Sequence, residues 1–543
     1  MSAQEFRIDG PPGTGKTTFI RNQVEAWSDR YAPEEIVLCS FSRAAAKELA
    51  GAVSLPRDNV ATIHALAYRM WDRPPIAETG ALAKEWNALC YPEWRVGDGA
   101  IDLEEGVEPS KDHGKQMALY NLARARLEDN TDYWKQHPMV KEWQRFKDEH
   151  GALDFADMIN LSIDYFPELI SRPRVLMVDE AQDLTPAQWR LVRSWGAADS
   201  VEQFLVAGDA DQVIYSFAGA RPDEFMDGMP ELLAAGYARV LSRSYRTPRT
   251  VHALAQRWIE QIPGRAPKAF AARDAEGTVA GVDATWRYVD GIVACATRHL
   301  DQGQTVMILA SCAYMLAPVI AALREEGLPF YNPYRRTNGA WNPLGGGRAD
   351  AVSTVARYLA FLEPLSASGP TWSEIARWGV LLPARHYLRG MKTKIVTYDR
   401  REGSEESVRP LLLRELSDIF HLEAMAHVVN HDSAWLVAEA MESYKRPLTY
   451  AHAIYQKGGA ALLRQTPRLV IGTIHSVKGG EADVVILMPD ISLEAYRQAV
   501  SAQEHQDSIT RLFYVGITRA KEALYVTAPV VPMLAAQVRE WVP

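Results

Sequence analysis

The stretch GPPGTGKT, from Gly10 to Thr17, constrains this chain more than any other. It matches the pattern of Gly, four residues, then Gly-Lys-Ser/Thr. The residues before it, Glu5-Phe6-Arg7-Ile8-Asp9, read as a short strand, and Phe19, Ile20 and Val24 after it recur at helical spacing. The local order is therefore strand, glycine loop, helix. Gly10, Gly13 and Gly15 let the backbone curl until its N–H groups point inward at phosphate oxygens. The helix that follows adds the positive end of its dipole. Lys16 supplies a charge for the β- and γ-phosphates, and Thr17 a hydroxyl for Mg²⁺. An ordinary Gly/Pro-rich turn is the alternative, and a complete match set between strand and helix disfavours it. The expectation is nucleotide binding.

A chain of 543 residues exceeds what one core supports, and about three or four domains are expected. Hydrophobic residues at 47% and charged residues at 23% suit a soluble globular protein. No apolar run approaches the roughly 20 residues that span a bilayer, so no membrane partner is expected. The N-terminus shows no signal-peptide pattern. The four cysteines, Cys39, Cys90, Cys295 and Cys312, lie far apart without a CxxC pair. That argues against a disulfide framework or a zinc site and fits a reducing cytoplasm. A net charge of −9 excludes a uniformly basic surface but leaves room for a local basic groove.

Along the chain, Ile36-Val37-Leu38-Cys39 reads as a buried strand and Arg43 to Leu49 as a helix. Asn59 to Ala65 reads as a short strand running into a helix. From about Tyr68 to Glu149 the pattern is polar and helical, and its stripe Val140, Trp143, Phe146 reads as core rather than a stacking platform. The α/β pattern resumes at Val175 to Val178 and Phe204 to Ala207. A second α/β block opens near Leu241, with a strand at Val306 to Leu309 and a helix from Ala321 stopped by Gly327. Asn332 to Arg348, dense in Gly, Asn and Pro, reads as a boundary loop. A mainly helical stretch with an acidic tract at Glu402 to Glu406 follows, and strands return at Leu469 to Ile471, Val484 to Leu487 and Leu524 to Val526. The expected fold is α/β, with two parallel-sheet domains each interrupted by a helical insertion. There is no internal repeat.

Where the strand Val175 to Val178 ends, the chain reads Asp179-Glu180. An Asp there can hold Mg²⁺ opposite Thr17, and the adjacent Glu can orient and deprotonate the attacking water. From here the motifs accumulate in order. They are IVLCSFSRAAAKEL, TIHALA, DFADMI (Asp154 to Ile159), VDEAQDLTPAQ (Val178 to Gln188) and VAGDADQVIYSFAGA (Val206 to Ala220). LSRSYRTP (Leu241 to Pro248), IGTIHSVKGGEADVVIL (Ile471 to Leu487) and RLFYVGITRAKEAL (Arg511 to Leu524) complete the series. The chain resembles a superfamily-one helicase of the UvrD/Rep type from residue 6 to about 527.

The resemblance implies a P-loop NTPase of two RecA-like domains. The first is expected at 1–65 and 147–240 with an insertion at 66–146, the second at 241–345 and 467–543 with an insertion at 346–466. It implies ATP and Mg²⁺ bound by Gly10, Gly13, Thr14, Gly15, Lys16, Thr17 and Thr18, with Asp179 as metal partner and Glu180 as base. Gln212 would sense the γ-phosphate, and Arg246 and Arg519 would reach it as arginine fingers in cis. Tyr245 would stack on the adenine and Glu481 contact the ribose. Phe41, His64, Tyr215, Phe217, Thr473 and His475 fall where the family meets single-stranded DNA. Independently of the family, guanidinium groups stabilise the charge that phosphoryl transfer spreads over equatorial oxygens. Aromatic rings stack on any base. Phe41 and Tyr215 equally suit strand packing, and His64 and His475 a hydrogen-bonded core.

The chain departs from the family pattern at several points. An upstream segment with an adenine-reading Gln is not expected, because the phosphate loop begins so early, and Thr18 stands where an Arg near the base is common. Ala218 replaces a common Arg and Gly480 a common Leu, both of which bear on coupling of hydrolysis to movement. A fused nuclease domain is not expected, since the chain ends soon after Arg519. The implied activity is 3′-to-5′ translocation on single-stranded DNA with unwinding of tailed duplex DNA, by a monomer. The alternative is a single-stranded-DNA-dependent translocase that displaces proteins without unwinding.

Overall fold

Runs such as Ile36–Cys39 and Val175–Val178 are apolar at every position, which suits strands covered on both faces rather than on one. The computed structural model describes residues 3–97, 114–335, 339–345, 352–363, 370–398 and 410–530. The acidic tract Glu402 to Glu406 and parts of the boundary loop 332–348 lie outside these residues. The first sheet contains β1 (Glu5–Asp9), β2 (Ile36–Ser40), β3 (Val60–Thr62), β4 (Val175–Asp179), β5 (Gln203–Gly208) and β6 (Ala238–Val240). Their spatial order is β3-β2-β4-β5-β1-β6, with parallel pairing throughout. Every residue of β2 and β4 is buried. In this doubly wound order the strand ends of β1, β2, β4 and β5 open on one edge, where an open α/β sheet forms its crevice.

Two hydrophobic cores flank this sheet. One gathers Ile8, Ile20, Val24, Ile36, Leu38 and Met177, and the other Val37, Cys39, Leu176, Val178, Trp189 and Trp195. The alternation of β2 between them, Ile36 and Leu38 to one side, Val37 and Cys39 to the other, follows from the two-residue period of a strand. The helical stretch after Tyr68 has a core of its own around Trp86, Met139, Trp143 and Phe146, with Val140 packed against it. Its helices are Gly80–Leu89, Lys115–Ala125, Asp132–Gln136 and Pro138–His150. The expected stripe is therefore core.

At the base of that insertion lies a buried ion cluster. The Asp154 carboxylate accepts from Arg124 at 2.6 Å, Lys147 at 2.9 Å and the Trp143 indole at 2.8 Å. Asp157 pairs with the same two cations. Burial works against the Asp154 charge, but Arg124 and Lys147 outweigh it and hold its carboxyl far below the usual range. The DFADMI stretch thus opens the helix Phe155–Tyr165 with Asp154 as its capping residue and ties it to the insertion.

Strands β7 (Arg243–Pro248) and β8 (Ala271–Arg273) pair as a two-stranded parallel ribbon. The remaining strands are β9 (Thr278–Val282), β10 (Val306–Ala310), β11 (Phe330–Tyr331), β12 (Leu469–Thr473), β13 (Ala482–Leu487) and β14 (Ala520–Thr527). By packing, the chain forms two compact units, one of Met1–Gly281, Leu309–Ala313 and Thr473–Pro543, the other of Val282–Ile308 and Tyr314–Gly472. In the first, β13 and β14 run parallel, from Ala482 opposite Ala520 to Leu487 opposite Val526. In the second, β11 and β12 run parallel, with Phe330 opposite Leu469. The helix expected from Ala321 begins instead at Ala313 and runs to Glu325 through Pro318. Its buried face of Met315, Leu316, Val319 and Leu323 carries it past the one amide that proline removes. Among the described residues no helix is long and apolar enough to cross a membrane.

Candidate nucleotide site and its aromatic neighbour

Strand β1 ends at Asp9, and the chain turns through Gly10 to Gly15 into the helix Lys16–Trp27. Gly13 and Gly15 have φ of 71° and 82°, the left-handed region that favours glycine. Gly10 is needed for space: a Cβ there would lie 2.1 Å from Lys16 Cγ. The Lys16 side chain folds back across the loop, and its Nζ donates to the Gly10 carbonyl at 2.9 Å. No side chain caps the helix, so its first N–H groups keep free donors at the positive end of the dipole. Thr14 is buried, and its hydroxyl donates to the Pro11 carbonyl at 2.7 Å, which shapes the loop. Thr17 is half-buried and Thr18 exposed.

Asp179 closes β4 opposite Ser40 of β2. Asp179 Oδ1 and Ser40 Oγ are buried polar atoms with no hydrogen-bond partner among the described residues. Burial, and then the charge of Glu180, pushes the Asp179 carboxyl up to about 7. A buried carboxylate oxygen that lacks a donor fits a cation. Among the described residues no group of three or more His, Cys, Asp or Glu is arranged to hold a metal. A Mg²⁺ held by Asp179 and Thr17 would therefore take its other ligands from phosphate and water.

Glu180 adopts φ 52°, which is unfavourable for a residue with a side chain and is imposed by the turn after β4. Burial opposes its charge, but Lys16 and Lys478 outweigh that and hold the carboxyl below its ordinary value. Gln182 donates to Glu180 and accepts the Asp209 N–H at 2.9 Å, linking the ends of β4 and β5.

Gln212 follows β5 on a short turn. Its Nε2 donates to Asp209 at 2.7 Å, and its Oε1 accepts from Arg519 Nη2 at 2.9 Å. Arg519 is buried and also donates to the carbonyls of Val515 at 2.9 Å and Gly480 at 3.3 Å. Arg246 comes to the phosphate loop by a separate route. Ser244 donates to the Pro12 carbonyl at 2.8 Å, and the Tyr245 N–H to the Gly13 carbonyl at 2.7 Å. A Cβ on Gly13 would lie 2.4 Å from Arg246 Cβ, so this docking needs glycine. Arg246 Nε is 2.7 Å from Glu481, which makes an ion pair of two residues expected in separate roles. Tyr245 is 70% exposed.

The loop that carries Gln212 continues into Tyr215 and Phe217. Ring centroids of Phe41 and Tyr215 are 5.1 Å apart, of Tyr215 and His475 6.2 Å, and of Phe217 and His475 5.7 Å. Four of the six expected DNA contacts are therefore one aromatic cluster. Tyr215 is buried within it, while Phe217 is 48% exposed. His64 stands apart, edge-on to Phe155 at 6.0 Å, and burial pushes its imidazole down to about 4. Thr473 is fully buried, and its hydroxyl accepts the Ser476 N–H at 3.3 Å.

Lys478 joins the site beyond the residues expected there. Its Nζ pairs with Asp183, donates to the Gln212 carbonyl at 2.9 Å, and lies 5.3 Å from the Tyr215 ring centre. One cation thus touches both the Gln212 loop and the aromatic cluster. Its place inside the IGTIHSVKGGE motif was the available signal.

Comparison with known proteins bears on this arrangement. Residues 2–230 match the UvrD/REP helicase N-terminal domain, and residues 450–529 match the UvrD-like helicase C-terminal domain. Together these matches cover more than half of the chain. The chain belongs to the UvrD/Rep-like helicase family. The two parallel-sheet assemblies are accordingly the RecA-like domains of that family. A UvrD/Rep-like relative, the ATP-dependent DNA helicase UvrD2 of Mycobacterium tuberculosis H37Rv, is 29% identical over 290 residues, covering 47% of this chain and 41% of the relative. DNA helicase IV of Escherichia coli K12 is 24% identical over 312 residues, covering 47% and 45%. ATP-dependent DNA helicase PcrA of Leuconostoc citreum is 25% identical over 598 residues, covering 95% and 78%. The matched part of this UvrD/Rep-like chain thus spans about two-fifths of the UvrD2 relatives it matches.

Proposed function

We propose that this chain is an ATP-dependent DNA helicase or translocase that moves 3′ to 5′ on single-stranded DNA and unwinds tailed duplex. The observation that carries the reading is Gln212. Its amide joins Asp209 to Arg519, on the loop that continues into Tyr215 and the exposed ring of Phe217. A change at the γ-phosphate would therefore be felt where a base stacks. Lys16 and the N–H groups of Gly13 to Thr18 bind the triphosphate, and Glu180 orients and deprotonates the attacking water. Thr17 and Asp179 would hold Mg²⁺, which would supply charge neutralisation on the phosphates. Arg519 and Arg246 stabilise the charge that develops on the transferred group. Arg246 would exchange Glu481 for phosphate, freeing Glu481 for the ribose, and the exposed Tyr245 would stack on the base.

The names of the relatives, ATP-dependent DNA helicases among them, support the same reading. The domain limits proposed are 1–65 with 147–240 and 241–345 with 467–543 for the RecA-like domains, and 66–146 and 346–466 for the insertions. The protein acts as a cytoplasmic monomer. Strand displacement on 3′- and 5′-tailed duplexes, beside displacement of a protein bound to single-stranded DNA, tests the proposal. Unwinding is expected only with a 3′ tail and should fall as salt rises, because backbone contacts release counterions. Equal unwinding of 5′-tailed duplex would refute the direction, and protein displacement without unwinding would favour the translocase alternative.

A further inference from the structure

Between the helix Arg249–Ile259 and β8, two cations turn inward instead of meeting solvent. The Lys268 side chain is almost fully buried, and its Nζ lies 2.9 Å from Asp9 Oδ1, 2.5 Å from Asp209 Oδ1 and 3.6 Å from Asp211 Oδ2. Arg265, nearly as buried, forks onto Asp211 with two bonds of 2.7 Å. Asp9 immediately precedes Gly10 of the phosphate loop, and Asp211 immediately precedes Gln212. Asp209 lies between them and accepts from Gln212 through its other oxygen.

We infer that Lys268 is a positioning residue for Gln212, acting through Asp209, with Arg265 bracing the same turn through Asp211. The inference rests on the reading of Gln212 as the γ-phosphate sensor. A glutamine amide has a donor end and an acceptor end of nearly identical shape, so only its partners decide which way it points. Here the carboxylate of Asp209 takes the NH₂ end and turns the carbonyl end to Arg519. An ionised carboxylate only accepts, so it selects one orientation. Asp9 ends β1 and Asp209 directly follows the neighbouring β5, and without a cation between them their charges repel. Lys268 offsets that repulsion and fixes the oxygen that Gln212 reads. The same ammonium ties the entry of the phosphate loop to the sensor turn, so that the two face a bound nucleotide as one rigid frame.

The test uses the full chain with Lys268→Met, Lys268→Arg, and the double variant Asp209→Asn with Lys268→Met. Each is measured for DNA-stimulated ATP turnover, affinity for a fluorescent ATP analogue, melting temperature, and hydrogen exchange over residues 209–218. Lys268→Met is expected to lower kcat by about 10- to 100-fold, the scale for removing an orienting partner, while nucleotide affinity changes little. Exchange over 209–218 should accelerate, and Lys268→Arg should restore most of the turnover. The double variant removes opposite charges together, so its melting temperature should return toward wild type. Its kcat should stay low and its exchange fast, because an asparagine can serve either end of the Gln212 amide. Recovery of kcat along with melting temperature would overturn the inference and leave Lys268 as a structural ion pair. A wild-type chain without DNA-stimulated turnover would refute the helicase reading instead. In that event unchanged exchange over 209–218 in Lys268→Met would still overturn the positioning role.

Discussion

Truncation of Phe217 to alanine separates a base-stacking ring from a packing ring, because its neighbour Tyr215 supplies the control. Phe217 sits on the short turn Ser216–Ala218 and is 48% exposed, while Tyr215 is 5% exposed beneath the same cluster. Burying a whole Phe contributes about 1.5–3 kcal/mol, so the half-covered Phe217 ring contributes about 1 kcal/mol. Its edge contact with His475, centroids 5.7 Å apart, adds about 0.5–1.5 kcal/mol. Phe217→Ala should therefore lower stability by roughly 1.5–2.5 kcal/mol. Tyr215→Ala should cost about 3–5 kcal/mol, the scale of a truncated core aromatic. For DNA the order reverses. Loss of one stacked base costs about 1–3 kcal/mol, or roughly 5- to 150-fold in affinity for a single strand. Fluorescence anisotropy with a labelled oligonucleotide, DNA-stimulated and DNA-free ATP turnover, and thermal melting on one preparation supply the readouts. Phe217→Ala should lose DNA affinity and lower the ratio of stimulated to DNA-free turnover with a small change in melting temperature. A large fall in melting temperature with parallel loss of both activities would show that Phe217 packs and does not couple.

Lys16→Ala should abolish ATP turnover with the fold intact, since among the described residues Lys16 Nζ makes one hydrogen bond, to the Gly10 carbonyl. Near-normal hydrolysis by a well-folded variant would sink the assignment of the site. Arg519→Ala should cut turnover by roughly a thousandfold or more while nucleotide binding survives. It should also lower the melting temperature, because the Gly480 and Val515 carbonyls lose a donor; loss of binding with turnover would mark Arg519 as a ground-state group. Lys147→Met should destabilise by about 3–5 kcal/mol, since it removes one of the two cations that Asp154 and Asp157 share in a buried site. Denaturant melts that match wild type would contradict that account.

What the sequence determined by itself was local. The strand, loop and helix around Gly10 to Thr17 are encoded by spacing and by glycine, and the observed strand Glu5–Asp9 coincides with the expected one. Apolar runs bounded by Asp179 and Gly208 likewise carry their own secondary structure and its edge, because a strand buried on both faces needs no outside partner to be recognised. Order along the chain was enough to expect two sheets. The tertiary structure alone decided which side chains share one environment. Tyr215 and Phe217 are two residues apart and look equivalent in the chain, yet one is packing and the other is open to solvent. Arg246 and Glu481, distant in sequence, neutralise one another. Lys268 carries no motif, and only folding brings it to Asp9 and Asp209. Coulombic and hydrogen-bond partners depend on separations of a few ångströms between residues hundreds apart, and local periodicity holds no record of those distances.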